Sequence, residues 1–188
     1  MDQKNIDILK AGGVGIVPTD TIYGLVGSAL SFPAVERISQ IKNRTDGKGF
    51  IILISSIEDL NIFGIKPSDQ AKIFMKKFWP GKVSIEFVSP LAQFDYLKKT
   101  GGTIAFRFPD KADLLILLKK TWPLVAPSAN IEGLPPAKNI EEARKYFGDK
   151  VDFYEDEGDL VSEPSTLVKI DGDKIEVLRQ GAVRVEEV

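Results

Sequence analysis

Two patterns of apolar residues alternate along this chain: short runs typical of strands and spaced stripes typical of helices. Val14, Ile16 and Val17 follow two glycines and predict a buried strand, which Pro18 ends because proline has no backbone donor. Similar runs predict strands over 50–54, 83–88, 103–108, 123–126, 151–154, 165–170 and 174–178, with a hairpin turn at 171–173. Helical spacing predicts helices over 2–11, 33–42, 56–63, 68–78, 111–120 and 140–147.

The predicted strands and helices interleave, and no internal repeat, low-complexity segment or linker divides the chain. A chain of 188 residues is long enough to bury one well-formed core. We therefore predict an α/β fold with a twisted, mixed sheet in one domain over residues 1–188.

The predicted strand 103–108 has one apolar face and one polar face. Strand alternation places Thr103, Ala105 and Arg107 together, opposite Ile104 and two phenylalanines. An arginine among apolar neighbours needs an anionic partner or open water, since an unpaired buried charge is very costly. The polar face is therefore a candidate ligand-binding surface.

Two polar loops follow predicted strands. Thr19, Asp20, Thr21 and Tyr23 come after the first strand, and Ser128 and Asn130 follow the strand at 123–126 in the same way. Loops at strand ends are where open α/β sheets usually bind ligands. Local turns are the alternative interpretation, with Thr and Asp bonding nearby backbone groups and Asn in an unusual backbone conformation.

A basic, glycine-bearing segment follows the second predicted helix. Lys42, Arg44 and Lys48 stand within seven positions, interspersed with glycines. Such a loop can gather backbone donors and cations around an anion. A solvated helix C-terminus, where cations are favoured by the helix dipole, is the simpler alternative.

Composition restricts the available chemistry. The chain has no cysteine and no histidine, which excludes disulfides, thiolate catalysis, catalytic triads and histidine-ligated zinc. Its net charge of −2 argues against bulk electrostatic binding of nucleic acid. Neither the P-loop nor the Rossmann glycine pattern is present. No signal peptide or bilayer-length apolar run is found, so we expect a soluble cytoplasmic protein that binds no membrane.

Seven segments in order resemble the YrdC-like threonylcarbamoyl-adenylate synthases. They are PTDTIYGL, KNR, FWPGKVS, TIAFRFP, APSANIEGLPP, EPSTLV and LRQG, and they span nearly the whole chain. The resemblance implies a mostly mixed or antiparallel open sheet with flanking helices and a concave basic ligand site. It also implies that the second domain of longer relatives is missing here.

The implied reaction joins L-threonine, bicarbonate and ATP into threonylcarbamoyl-AMP and releases pyrophosphate. Mg²⁺ would accompany ATP, with no metal site formed by the protein alone. A transferase complex would then pass the threonylcarbamoyl group to the adenosine beside the anticodon of tRNA.

The resemblance also assigns roles to individual residues. Catalysis would rest on Lys42, Arg44 and Arg107. Threonine would contact Thr19, Thr21, Tyr23, Arg107 and Ser128. ATP would contact Lys42, Arg44, Lys48, Thr103, Ala126, Asn130, Pro136, Ser165 and Arg179.

The chain departs from the common pattern of this family at three positions. Thr45 stands where relatives usually have proline, and Lys111 and Leu53 stand where many have histidine.

Two other functions remain open from the sequence. The same concave basic face could belong to a non-catalytic module that binds double-stranded RNA or tRNA. A carbamoyl-transferase accessory domain is the third hypothesis, and it predicts turnover of carbamoyl phosphate.

Overall fold

One mixed sheet of nine strands forms the centre of the computed structural model, which describes residues 2–171 and 174–186. Across the sheet the order is β7, β1, β2, β6, β3, β5, β4, β8, β9. In chain order the strands are β1 (Val14–Pro18), β2 (Tyr23–Ser28), β3 (Ile51–Leu53), β4 (Val83–Val88), β5 (Thr103–Arg107), β6 (Leu124–Val125), β7 (Phe153–Tyr154), β8 (Thr166–Asp171) and β9 (Lys174–Arg179).

Both strand directions occur in this sheet, as predicted. β1 pairs antiparallel with β2 and parallel with β7, and β4 pairs antiparallel with β5 and parallel with β8. The antiparallel pairing of β8 with β9 confirms the two strands of the predicted hairpin, although the middle of its turn, 172–173, lies outside the described residues.

The described helices are α1 (Gln3–Lys10), α2 (Phe32–Lys42), α3 (Asp69–Phe78), α4 (Ala112–Thr121) and α5 (Ile140–Phe147). Side chains of Asp2, Ser31, Ser68 and Asn139 cap four of them by accepting hydrogen bonds from first-turn amides. The predicted helix at 56–63 is a 3₁₀ helix over Ile57–Phe63. Within the described ranges, no helix combines the length and the apolar character needed to cross a bilayer.

The predicted loop after β1 is shorter than expected. Tyr23 already belongs to β2, which turns back on β1 so that Pro18 pairs with Tyr23 and Val14 with Gly27. The prediction missed β2 because both of its faces are buried, so its sequence lacks the alternation of a half-exposed strand.

The two faces of the sheet are covered unequally. On one face, α2, α3 and α5 contribute to the larger apolar core, which includes Ile104 and Phe106 of β5. On the other face, α1 and α4 pack over β1, β2 and β6 and form a smaller core. Thr103, Ala105 and Arg107 of β5 face away from the larger core, as predicted, and line cavities. The candidate site occupies this part of the second face.

Candidate active site

Two adjoining cavities open on the second face of the sheet. The inner cavity, of about 160 Å³, is lined by Thr19, Thr21, Ile22, Tyr23, Gly24, Ile51, Arg107, Ala126, Pro127, Ser128, Pro136, Pro164, Ser165 and Arg179. The outer cavity, of about 410 Å³, is lined by Arg44, Gly47, Lys48, Gly49, Phe50, Ile51, Glu86, Lys99, Thr103, Ala105, Pro127, Ser128, Leu167 and Arg179. They share four lining residues, so they form one continuous cleft.

The structure brings together nearly all the residues that the sequence predicted for the site. Every one lines the inner or the outer cavity except Lys42 and Asn130. Lys42 lies behind the loop that carries Ser128, Asn130 belongs to that loop, and each makes a hydrogen bond with Ser128. The predicted residues therefore separate into those that face the cleft and those that hold its wall.

Arg107 has the anionic partner that its surroundings require. Its Nη2 lies 3.2 Å from Asp20 Oδ1, and both side chains are almost fully buried. Nη2 also donates to Thr19 Oγ1, while Arg107 Nε has no hydrogen-bond partner among the described residues. Burial lowers the pKa of Arg107, Asp20 opposes this shift, and nearby Arg179 adds to it. The guanidinium lines the inner cavity with hydrogen-bonding capacity to spare.

Thr19 and Thr21 have different surroundings in the same turn. Thr19 Oγ1 donates to Ile22 O at 2.7 Å and accepts from the Thr21 amide at 3.1 Å. The two hydroxyl oxygens lie 3.1 Å apart, and Thr21 is the donor in this contact because the Thr19 proton is already donated to Ile22 O. The local-turn interpretation therefore fits Thr19, whereas Thr21 Oγ1 keeps its acceptor capacity beside the inner cavity.

Tyr23 connects the cavity wall to the acidic segment 155–159. Its hydroxyl donates to Gly158 O at 2.8 Å and accepts from the Glu157 amide at 2.9 Å. Burial is the main reason that the pKa of Tyr23 is raised. The ring lines the inner cavity while the hydroxyl is used to hold this segment in place.

Lys42 is buried at the end of α2. Its Nζ donates to Ser128 O at 2.5 Å and to Asn130 O at 2.6 Å, and its carbonyl accepts from the Glu132 amide at 2.9 Å. Burial lowers the pKa of Lys42 to about 7, with a further lowering by Arg44 and an opposing effect of Glu132. The lysine thus fastens α2 to the loop that carries Ser128.

Asn130 completes the same support. Its Oδ1 accepts from Ser128 Oγ at 2.5 Å, and its Nδ2 donates to Leu134 O at 2.7 Å and Ile131 O at 3.0 Å. The side-chain amide is fully engaged in shaping the loop. Of this loop, Ala126, Pro127, Ser128 and Pro136 reach the inner cavity.

The basic segment, residues 43–49, is largely exposed, but contacts within the chain hold its shape. Arg44 Nε donates to Lys48 O at 3.1 Å, and its guanidinium lies 4.6 Å from the centre of the Phe50 ring. Burial lowers the pKa of Arg44, and Glu132 opposes this shift. Arg44 and Lys48 both line the outer cavity.

Glu132 joins this basic segment to the loop that carries Ser128. Its carboxylate forms an ion pair with Lys48 and accepts from the Thr45 amide at 2.7 Å. Lys48 first, and then the Thr45 amide and hydroxyl, lower the pKa of Glu132 to about 2. Proline at position 45 would have no amide to donate, so the Thr45 departure supplies a contact that proline could not make.

Three carboxylates important in the structure were absent from the sequence-based site: Asp20, Glu86 and Glu132. Asp20 was part of the predicted polar loop but had no assigned role. Glu132, two residues after Asn130, was given no role either. Glu86 could have been found from strand alternation, because it is on the opposite face of β4 from Ile85 and Phe87. Its place in the outer cavity depends on the long-range pairing of β4 with β5 and β8.

The chain is similar to known proteins over nearly its whole length. A family model of Sua5, YciO and YrdC proteins, described as "Telomere recombination", matches residues 7–181. A Mycobacterium tuberculosis protein provisionally named threonylcarbamoyl-AMP synthase is 33% identical over 185 residues, a match that covers 97% of this chain and 85% of that protein.

Solved structures of this family are also similar to the chain over nearly its whole length. Pyrococcus abyssi Sua5 complexed with L-threonine matches with a TM-score of 0.88 and 28% identity, over 95% of this chain and 53% of that one. Escherichia coli YciO matches with a TM-score of 0.87 and 25% identity, over 97% of this chain and 90% of that one. The chain therefore spans about half the length of the Pyrococcus protein and most of YciO.

Proposed function

This chain belongs to the family of Sua5, YciO and YrdC proteins, and we propose that it is a threonylcarbamoyl-AMP synthase. The proposed reaction joins L-threonine, bicarbonate and ATP into threonylcarbamoyl-AMP and releases pyrophosphate. One observation carries the proposal. The small inner cavity, which contains the buried Arg107 guanidinium, is continuous with the larger outer cavity, which is lined by several cations. Such a cleft suits a small amino acid beside a nucleotide.

Threonine fits the inner cavity chemically. Arg107 Nε has no hydrogen-bond partner within the described ranges, and a guanidinium suits bidentate binding of the threonine carboxylate. Thr21 and Ser128 line the same space with hydroxyls that can meet the substrate's polar groups. Thr19 and Tyr23 shape the walls. The complex of Pyrococcus abyssi Sua5 with L-threonine supports this choice of substrate.

ATP fits the outer cavity. Arg44, Lys48 and Arg179 line it and would bind the triphosphate, with Thr103 near the nucleotide. Ser165, Ala126 and Pro136 would border the nucleotide from the inner cavity, and we assign Lys42 and Asn130 the indirect role of holding the Ser128 loop. Mg²⁺ would enter with ATP on phosphate oxygens. The described residues form no cluster of three or more potential metal ligands.

The reaction proceeds in two steps with balanced atoms. Threonine's neutral amine forms a nitrogen–carbon bond with bicarbonate, water leaves, and a carbamate results. A carbamate oxygen then bonds to the α-phosphorus while the bond to the β-phosphate oxygen breaks and pyrophosphate leaves. Both steps bring anions together, so cations that gather and orient them supply much of the acceleration without a protein nucleophile. A chain without histidine or cysteine can perform this chemistry.

The product would be used in tRNA modification. We propose that a transferase complex moves the threonylcarbamoyl group from AMP to the adenosine beside the anticodon, and that both steps occur in the cytoplasm. The names of the relatives support the synthase and give no support to a non-catalytic RNA-binding module.

Pyrophosphate release from purified protein tests the proposal. The assay contains Mg-ATP and bicarbonate, with L-threonine, with L-serine, or with neither. We expect threonine-dependent release and a product with the mass of threonylcarbamoyl-AMP. Absence of release from folded protein, together with salt-dependent binding of tRNA, would instead favour the RNA-binding module. Turnover of carbamoyl phosphate would favour the carbamoyl-transferase hypothesis.

A further inference from the structure

Glu86 places a buried carboxylate in the wall of the outer cavity. Only 6% of its side chain is exposed. Its Oε2 accepts from Thr103 Oγ1 at 3.0 Å, and its Oε1 lies 3.3 Å from Lys99 Nζ. All three residues line the cavity in which we place ATP.

Structural stability alone does not explain this carboxylate. Burying a charge is costly, and an apolar residue of similar size would pack beside Ala105, its register partner on β5, without that cost. An ionised carboxylate can accept about four hydrogen bonds. Each oxygen has one such contact among the described residues, so the carboxylate keeps acceptor capacity in the wall of the cavity.

The position of Glu86 indicates which part of a nucleotide it meets. Phosphates would be repelled by a carboxylate, whereas the hydroxyls of ribose and the amino group of adenine are hydrogen-bond donors. Thr103, which holds Glu86, is four residues from Arg107 on β5, about 13 Å along the strand. If threonine binds at Arg107 and the phosphates lie between Arg107 and Thr103, the nucleoside lies beside Glu86.

We propose that Glu86 is a specificity-determining residue that accepts a hydrogen bond from a donor group of the nucleoside. Thr103 and Lys99 hold the carboxylate in position for this contact. This inference rests on the proposed function in assuming that the outer cavity binds ATP. A magnesium role is less suited to the geometry, because the Lys99 ammonium already occupies the cation position beside Oε1.

Calorimetric binding tests the proposal without requiring turnover. The nucleotides are ATP, 2′-deoxy-ATP, 3′-deoxy-ATP and the triphosphate of purine riboside, which lacks the amino group. The variants are Glu86→Gln, which keeps the size and one acceptor, and Glu86→Leu, which removes both. Glu36→Gln on the exposed side of α2 is the matched control. Circular dichroism establishes that each variant is folded.

We expect wild-type protein to bind one of the three analogues about tenfold to a hundredfold more weakly than ATP, which identifies the contacted donor. Glu86→Leu should weaken ATP by a similar factor and lose the preference, and Glu86→Gln should be intermediate. Glu36→Gln should behave as wild type. If Glu86→Leu does not fold, the size-conserving Glu86→Gln decides the result.

Two outcomes would overturn the proposal: Glu86 variants that weaken all four nucleotides equally, or variants that change the Mg²⁺ requirement alone. Pyrophosphate release by the wild type is measured in parallel. Nucleotide preference that depends on Glu86 in a protein without threonine-dependent release would sustain this inference while rejecting the synthase reaction.

Discussion

Arg107 combines a structural role with its proposed contact to substrate. Asp20 stabilises the guanidinium inside the protein, and the proposed threonine carboxylate would share the same cation. Removing one partner of a buried ion pair usually costs about 3–5 kcal/mol, because the other charge stays buried and unpaired. A variant of Arg107 alone therefore tests stability and activity together, and a double variant is needed to separate them.

Replacement of Arg107 by Met should lower the free energy of unfolding by about 3–5 kcal/mol, since Asp20 is left without its cation. The double variant Asp20→Asn with Arg107→Met should regain most of this stability, because no unpaired charge remains. Neither variant should show threonine-dependent pyrophosphate release. Urea unfolding and the release assay measure both effects. A double variant as unstable as the single one, or an active one, would contradict this account.

Lys42 should make stability depend on pH. Its pKa is about 7 in the folded chain against an ordinary value of 10.5, so between these values the unfolded chain holds more protons. Stability contributed by this residue therefore rises with pH across that window and is constant below it. From pH 7 to 9 the wild type should gain about 1–3 kcal/mol relative to Lys42→Met.

Urea unfolding at both pH values measures this difference. Lys4→Met, at an exposed position in α1, is the matched control and should follow the wild type. An equal pH response in wild type and Lys42→Met would show that Lys42 is not the titrating group. The prediction depends on burial of the ammonium against Ser128 and Asn130, not on catalysis.

At the level of elements, the cleft depends on two loops fastened to each other. Glu132 binds the Thr45 amide and Lys48, and Lys42 binds the opposite side of the Ser128 loop. The basic segment 43–49 therefore has a defined shape before any ligand arrives. The Glu132 carboxylate helps to orient these cations, and a triphosphate would have to compete with it for Lys48.

Glu132→Gln should loosen this segment selectively. The neutral amide loses the ion pair with Lys48 and weakens the bond from the Thr45 amide. We expect faster hydrogen exchange in peptides covering 43–49 and no change in α4. Glu141→Gln, at an exposed position, is the control. Unchanged exchange in the segment would mean that Arg44 and its own contacts are sufficient to hold it.

Local sequence pattern predicted most of these elements but not their mutual contacts. α2 and β5 have clear periodicity, so their core faces could be assigned, including the polar face of Arg107. β2 lacked alternation because Tyr23 to Gly27, on both of its faces, are buried. The sequence could not predict that Lys42 and Asn130 face away from the cleft. Their orientation depends on where the end of α2 meets the Ser128 loop, which is distant in sequence. Asp20 as partner of Arg107 is similarly a contact across 87 positions of the chain.

At the scale of the whole molecule, the site exists because one face of the sheet is only partly covered. α1 and α4 protect the β1, β2 and β6 side, and the cleft crosses from there to β5, β4 and β9. The two proposed substrates would therefore lie side by side across one sheet and share the wall residues Ile51, Pro127, Ser128 and Arg179. Binding of both should stabilise the fold more than the sum of each alone.

Thermal unfolding tests this coupling. L-threonine and a non-hydrolysable ATP analogue are added singly and together, since any ligand that binds only the folded state raises its stability. We expect the increase in melting temperature with both to exceed the sum of the separate increases. L-serine in place of threonine is the control. Simple additivity would indicate that the inner and outer cavities act independently.

Arg179 is the last residue of β9, the outermost strand on its side of the described sheet. Its Nη2 donates to Ser165 O at 2.9 Å, and its side chain lines both cavities. This cation, proposed to bind the triphosphate, is thus supplied by an edge strand that pairs with β8 alone among the described strands. Fraying of that edge would withdraw the cation from the nucleotide, so product release would not need a hinge between rigid bodies.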